Sequence, residues 1–152
     1  MYVRALVATA ALVATSGPSA LNAAEPAASA RQGIELTTAE QDYLIAEMHA
    51  NVAALQSLLD ALARSDRPSA EQAAATRGTA SFHSRDGIRP KTLAAKFPPP
   101  WKTMAEGLRE AFDQLAASIA AGASTEDSLH RASQLLAICS SCHSSYRFVA
   151  SP

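Results

Sequence analysis

An all-α fold is predicted by three observations. Hydrophobic residues make up 48% of the 152-residue chain but aromatics only 5%, and the excess is alanine and leucine, which favour helix. Large apolar residues recur at three- and four-residue intervals over long stretches, the period of a helix buried on one face. No β-branched-rich alternating run of useful length appears, so nothing predicts a strand. The length suits one domain with a real core.

Residues 1–24 have the pattern of a cleaved signal peptide. Arg4 supplies a positive start, Ala5 to Ala14 is apolar, and small residues lead to Ala23-Ala24, with Ala28-Ser29-Ala30 as a second cleavage point. The apolar run is too short to span a bilayer as a permanent helix; the competing reading is an uncleaved anchor. Cleavage removes only Arg4 from 13 basic and 14 acidic residues, leaving a net charge of −2. That balance predicts no nucleic acid partner, which would call for a basic face, and no strong electrostatic docking patch.

Residues 25–36 read as a flexible lead-in. A first helix is expected from Thr37 or Thr38, where Thr37 with Glu40 and Thr38 with Gln41 fit a capping box, to about Ala63. Its buried stripe is Leu44, Met48, Val52, Leu55, Leu59 and Leu62. Arg64 to Pro68 makes a turn, and Ser69 with Gln72 caps a short alanine-rich helix that Gly78 weakens or ends. Asp86-Gly87 and Pro90 forbid a long helix over 79–96, with one helical turn from Leu93 packing Phe97 inward.

Pro98-Pro99-Pro100 pre-sets a third helix from about Trp101 to Ala121. Its apolar face carries Trp101, Met104, Leu108, Phe112, Leu115 and Ile119, and Gly122 ends it. Ser124 or Thr125 caps a fourth helix whose shared face is Leu129, Ala132, Leu136, Cys139, His143 and Tyr146.

That fourth helix carries the chemistry. Cys139-Ser140-Ser141-Cys142-His143 has the spacing by which haem is attached covalently. Cysteines three apart share a helix face, so both thiols reach the vinyl groups along one porphyrin edge. His143 then stands beside the ring, where a neutral imidazole ligates iron. The chain has only these two cysteines, which rules out a four-thiolate zinc or iron–sulfur site. A plain disulfide, or a redox pair, is the competing reading; the latter expects a βαβ setting that this region lacks. Zinc would need two distant histidines. Attachment of c-type haem takes place outside the bacterial inner membrane, so motif and signal peptide support each other and point to the periplasm.

The nine residues Cys139 to Arg147 form C-x-x-C-H-x-x-Y-R, a C-terminal motif that resembles that of the class II cytochromes c. These are the cytochromes c′ and their low-spin relatives. The resemblance covers 37–148 and implies a four-helix up-down-up-down bundle, here with a short or broken second helix because of Gly87 and Pro90. Trp101 also matches the family pattern. Leu44 departs from it, standing where an arginine is often found.

The resemblance implies one covalent haem c on Cys139 and Cys142, His143 as proximal axial ligand, and Tyr146 and Arg147 near the haem. It places Met48 at the distal position, methionine in the low-spin electron carriers and apolar in five-coordinate cytochromes c′. Met48 lies about ten residues, roughly 15 Å, into its helix, and His143 about five residues, roughly 8 Å, before the expected end of its own. The depths are compatible. His49, about 100° around the helix from Met48, and His83 are the other sixth-ligand candidates; Met104 reads as packing and His130 as surface.

The expected function is a periplasmic monohaem electron carrier, not an enzyme, working with redox partner proteins and with homodimerisation left open. The alternatives are a five-coordinate protein binding NO or CO, and an exported interaction protein with a Cys139–Cys142 disulfide.

Overall fold

Thr37 opens the first long helix, as its spacing to Glu40 predicts. In the computed structural model, which describes residues 30–81 and 90–151, the Thr37 hydroxyl accepts the Glu40 N–H at 3.3 Å and the Glu40 carboxylate accepts the Thr37 N–H at 2.8 Å. This pair satisfies donors that a helix start leaves open, and α1 runs Thr38–Ala63. Its buried side departs from the expected stripe. Leu44, Leu55 and Leu62 are buried together with Leu58, but Val52 is 64% exposed and Leu59 42%. Two successive four-residue steps rotate a side chain by about 80°, which carries Val52 off the buried face.

The second helix, α2 (Arg67–Ala75), has nine residues. Asp66, not Ser69, is its cap, accepting the Ser69 N–H at 3.2 Å. Pro68 fits the first turn because no amide donor is needed there, so the helix starts earlier than the Ser69 reading allows. It also ends before Gly78, whose role is a different one. A Cβ at Gly78 would lie 1.7 Å from Asp113 Oδ1. The other oxygen of Asp113 accepts from the Thr79 amide at 2.9 Å and the Thr79 hydroxyl at 2.8 Å, joining a 3₁₀ turn at Thr79–Ser81 to the next long helix.

Pro90 begins α3 (Pro90–Ala94). Phe97 is buried, as expected, and stacks on Trp101 with ring centroids 3.7 Å apart. The next helix, α4 (Pro99–Ala120), is followed by Gly122 at φ 95°, a left-handed turn that glycine takes without a Cβ penalty. Ser124 accepts the Asp127 N–H at 3.0 Å and starts α5 (Thr125–Ser145). The buried residues of α5 are Ser128, Ala132 and Leu135. Leu129 and Leu136, placed on the inner face by the sequence reading, are 44% and 51% exposed.

The lead-in is corrected by the structure over its last residues. Gln32–Leu36 form a strand, β1, paired in parallel with β2 (Tyr146–Ala150), with Gln32 opposite Tyr146 and Leu36 opposite Ala150. Ile34 and Leu36 point inward and are buried, while Gly33 and Glu35 are exposed. Five residues are too few for alternation to stand out, and the partner lies at the other end of the sequence. Tyr146 therefore leaves the helical face assigned to it, and α5 stops two residues after His143. The proposed cleavage points at 23–24 and residues 82–89, with His83, lie outside the described residues; of the second cleavage point only Ala30 is described.

The described chain is mostly helical with this one small sheet. One apolar core is built by α1, α2, α4 and α5 around Leu58, Phe112, Leu115, Ile119 and Leu135. A second gathers Ile34 and Leu36 with Tyr43, Leu44, Leu93 and Phe97, flanked by Trp101, Tyr146 and Phe148. No described helix is long and apolar enough to cross a membrane.

Candidate functional site

Between the two cores α1, α4 and α5 stand apart and line a pocket. Its cavity volume is about 200 Å³, and it opens to solvent. From α1 come Leu44, Met48, Val52 and Leu55; from α4, Trp101, Met104 and Leu108; from α5, Leu136, Ile138, Cys139, Cys142 and His143. Leu44 and Trp101 belong to the second core, Leu55 and Leu108 to the first, so the pocket is walled by packed residues on both sides. The apolar walls follow from two helical repeats: 44, 48 and 55 on α1, and 101, 104 and 108 on α4.

Cys139 and Cys142 are free thiols, each half-buried. Burial raises both above the ordinary thiol range, and Cys139 adds a repulsion that raises Cys142 further. These are protonated thiols at neutral pH, unlike the activated thiolate of a redox pair. His143, the next residue, lines the same pocket, and its backbone carbonyl accepts from the Arg31 guanidinium at 3.4 Å.

Four polar residues line the pocket apart from the motif: Glu47, Asn51, Arg77 and Arg109. Arg77, just past α2, donates from Nε to Asn51 Oδ1 at 2.7 Å and from Nη2 to the Glu47 carboxylate at 2.6 Å. Arg109 donates to the Ala105 carbonyl one turn back at 3.3 Å. Burial, and then the nearby Arg77 charge, holds its guanidinium below its ordinary value.

The expected site residues divide cleanly. Cys139, Cys142, His143 and Met48 are brought together on one pocket, and Met104, read as packing, joins them. Tyr146 and Arg147 fall on β2 and are not among the lining residues. His49 is exposed and also absent from the lining; His130 is exposed and bonds Gln134 at 3.2 Å. The polar group was missed. Asn51 stands three residues after Met48 on the same face, a usable signal, whereas Arg77 is delivered by tertiary packing and has none.

The residue types fit a haem: two thiols and an imidazole on one helix, a thioether on the facing one, and apolar surface between them. Among the described residues no group of three or more His, Cys, Asp and Glu is arranged to hold a bare metal ion. No protein-family profile matches the chain, and neither curated proteins nor solved structures give a match.

Proposed function

We propose that this chain is a periplasmic c-type haem protein that carries single electrons, a relative of the class II cytochromes c. The observation that carries the reading is the convergence of Cys139, Cys142, His143 and Met48 on one apolar pocket. The bundle topology belongs to the same proposal. It is supported by the packing of α1 on α2, α2 on α4 and α4 on α5, and by the short connection between α4 and α5.

Bound haem supplies a one-electron Fe(III)/Fe(II) couple. Cys139 and Cys142 hold it through thioethers on adjacent turns of α5. His143 presents a ring nitrogen from the same helix, and Met48 offers a thioether sulfur from α1. Thioether ligation favours the ferrous state relative to a second imidazole, and the apolar walls keep water away, so a comparatively high potential is expected. Val52 and Leu136, exposed at the pocket, form an apolar margin where a partner protein would approach.

An optical spectrum of the protein matured with a haem-attachment system tests this. Low-spin iron in both oxidation states supports His143 and Met48 ligation. High-spin iron that binds CO readily replaces it with the five-coordinate gas-binding reading, in which Met48 only lines the distal side. A chain without covalent haem leaves the exported interaction protein.

A further inference from the structure

Charge is absent from long stretches of two helices that flank the pocket. No Asp, Glu, Lys or Arg occurs between Glu47 and Asp60 on α1, or between Arg131 on α5 and Arg147 on β2. The same helices carry the large apolar side chains that the described residues leave exposed: Ile45, Val52 and Leu59 on α1, Leu129 and Leu136 on α5, from 42% to 64% exposed. Within each helix they are spaced by seven residues, and a seven-residue step returns to within about 20° of the same direction. Each helix therefore shows solvent an apolar stripe.

The two stripes lie on one side of the molecule. Val52 and Leu136 line the same pocket, which puts the stripes along its two margins. The chain of α1 passes from Leu44 in the second core, through the pocket, to Leu58 and Leu62 in the first. On α5 the order is reversed, from Ala132 and Leu135 in the first core, through the pocket, to Tyr146 beside the second. The helices thus run in opposite directions, and Leu59 and Leu129 stand at the same end.

Size decides what such a face can hold. The α1 stripe spans about 21 Å at 1.5 Å per residue, and two helices side by side are about 20 Å wide, so the face covers roughly 400 Å². A stable interface takes roughly 800 Å² from each partner, whereas electron-transfer encounters bury less than about 1,200 Å² in total. A face without charge gives a charged patch nothing to select. A second copy brings an identical apolar, uncharged surface, which is what a two-fold contact requires. Any charged face would instead set like against like between copies whose net charge is negative.

We propose that this α1–α5 face docks transiently on the same face of a second copy, and that electrons pass between copies across it. The transfer rests on the haem reading proposed above; the docking does not. One copy is oxidised as the other is reduced, so the electrons balance without a co-reactant. Val52 and Leu136 make the contact at the pocket mouth, and Ile45, Leu59 and Leu129 extend it beyond.

The test is the electron self-exchange rate of the haem-loaded mature protein, read by NMR line broadening in mixtures of the two oxidation states. At pH 8, above the ordinary histidine range, the wild-type rate changes less than about threefold between about 0.1 and 1 M salt, although the screening length shrinks from about 10 to 3 Å. Leu59→Glu and Leu129→Glu set like charges into the contact, so the rate falls about tenfold at low salt and recovers as salt is added. Neither residue lines the pocket, and the optical spectrum stays that of wild type. Gln72→Glu, the same change of charge at an exposed position of α2, keeps the wild-type rate.

A wild-type rate that climbs steeply with salt, Glu variants that match Gln72→Glu, or a dimer that sediments intact at micromolar concentration overturns this inference alone. Docking has its own readout in the haem-loaded or haem-free chain: on dilution from millimolar concentration, amide shifts move within 45–59 and 129–143. Shifts that are absent or lie elsewhere overturn the docking. A wild-type chain without covalent haem overturns the transfer together with the proposed function.

Discussion

Met48 on α1 and His143 on α5 line the same pocket, although one stands ten residues into its helix and the other two residues from the end of its own. Their depths do not match by simple counting, because α5 yields to β2 at Tyr146. Met104 lines the same pocket from α4, so the two sulfurs need separate tests. Met48→Leu conserves volume and should cost less than about 1.5 kcal/mol in stability. It is expected to turn low-spin ferric iron high-spin, while Met104→Leu leaves the spin state as it was; electron paramagnetic resonance distinguishes the two.

The thiols give a pH dependence in the chain with both cysteines free. Burial raises both, so folded Cys139 and Cys142 hold their protons at pH values where unfolded thiols lose them. Their contribution to stability is therefore complete below the ordinary thiol range and is lost as pH rises through the raised folded values. Alkylation of the haem-free protein should be slow at neutral pH and accelerate only on the alkaline side of a free cysteine, as mass spectrometry of quenched samples would show. A fast reaction at neutral pH would mean activated thiolates.

β1 ties the start of the domain to the residues just after the C-x-x-C-H motif. Leu36 is fully buried in the second core, and removing such a side chain to Ala costs about 2–5 kcal/mol. Leu36→Ala is expected to lower the unfolding free energy by that amount, a large part of the stability of a typical domain. Glu35→Ala, exposed on the same strand, should change it little. Equal effects would argue against Leu36 facing the core.

Gly78 is where backbone and side chain meet most closely. A methyl group there must displace the Asp113 carboxylate from the Thr79 amide and hydroxyl. Gly78→Ala is expected to destabilise by about 1–3 kcal/mol in urea unfolding, and Asp113→Ala in the same background should recover part of the loss. Full additivity of the two would show that they do not touch.

The α1 cap has its own acid signature. The hydrogen bond from Lys96 and then the backbone bond from Thr37 lower the Glu40 carboxyl below its ordinary value. The folded form thus holds its charge more strongly than the unfolded one, so this stabilisation is present above the unfolded value and disappears as pH falls through the folded one. Glu40→Gln should flatten the acid limb of a melting-temperature profile. Thr37→Ala should cost about 1 kcal/mol at neutral pH.

Local patterns carried the helical part of this structure in the sequence. The Thr37–Glu40 box, the Pro98 to Pro100 start and the Gly122 stop each act within one helical turn, and the elements they bound follow. The Cys139, Cys142 and His143 spacing on which the proposed function rests is local in the same way. What depended on distant chain did not show. β1 needs a partner at the opposite terminus, Asp66 displaced Ser69 as cap through a proline start, and Gly78 answers to Asp113 on another helix. Arg77 is brought to Met48's neighbours, Glu47 and Asn51, by the docking of α2 on α1. The exposed Val52 and Leu136 belong to the same class, since their place at the pocket depends on how far α1 stands from α5.

The central claim is covalent, and the intact mass of the mature protein tests it most directly. Expressed with a c-type haem-attachment system, the wild-type chain should be heavier than its amino acids by one haem, and Cys139→Ser with Cys142→Ser together should abolish the increment. A wild-type chain that weighs no more than its mature polypeptide would contradict the account.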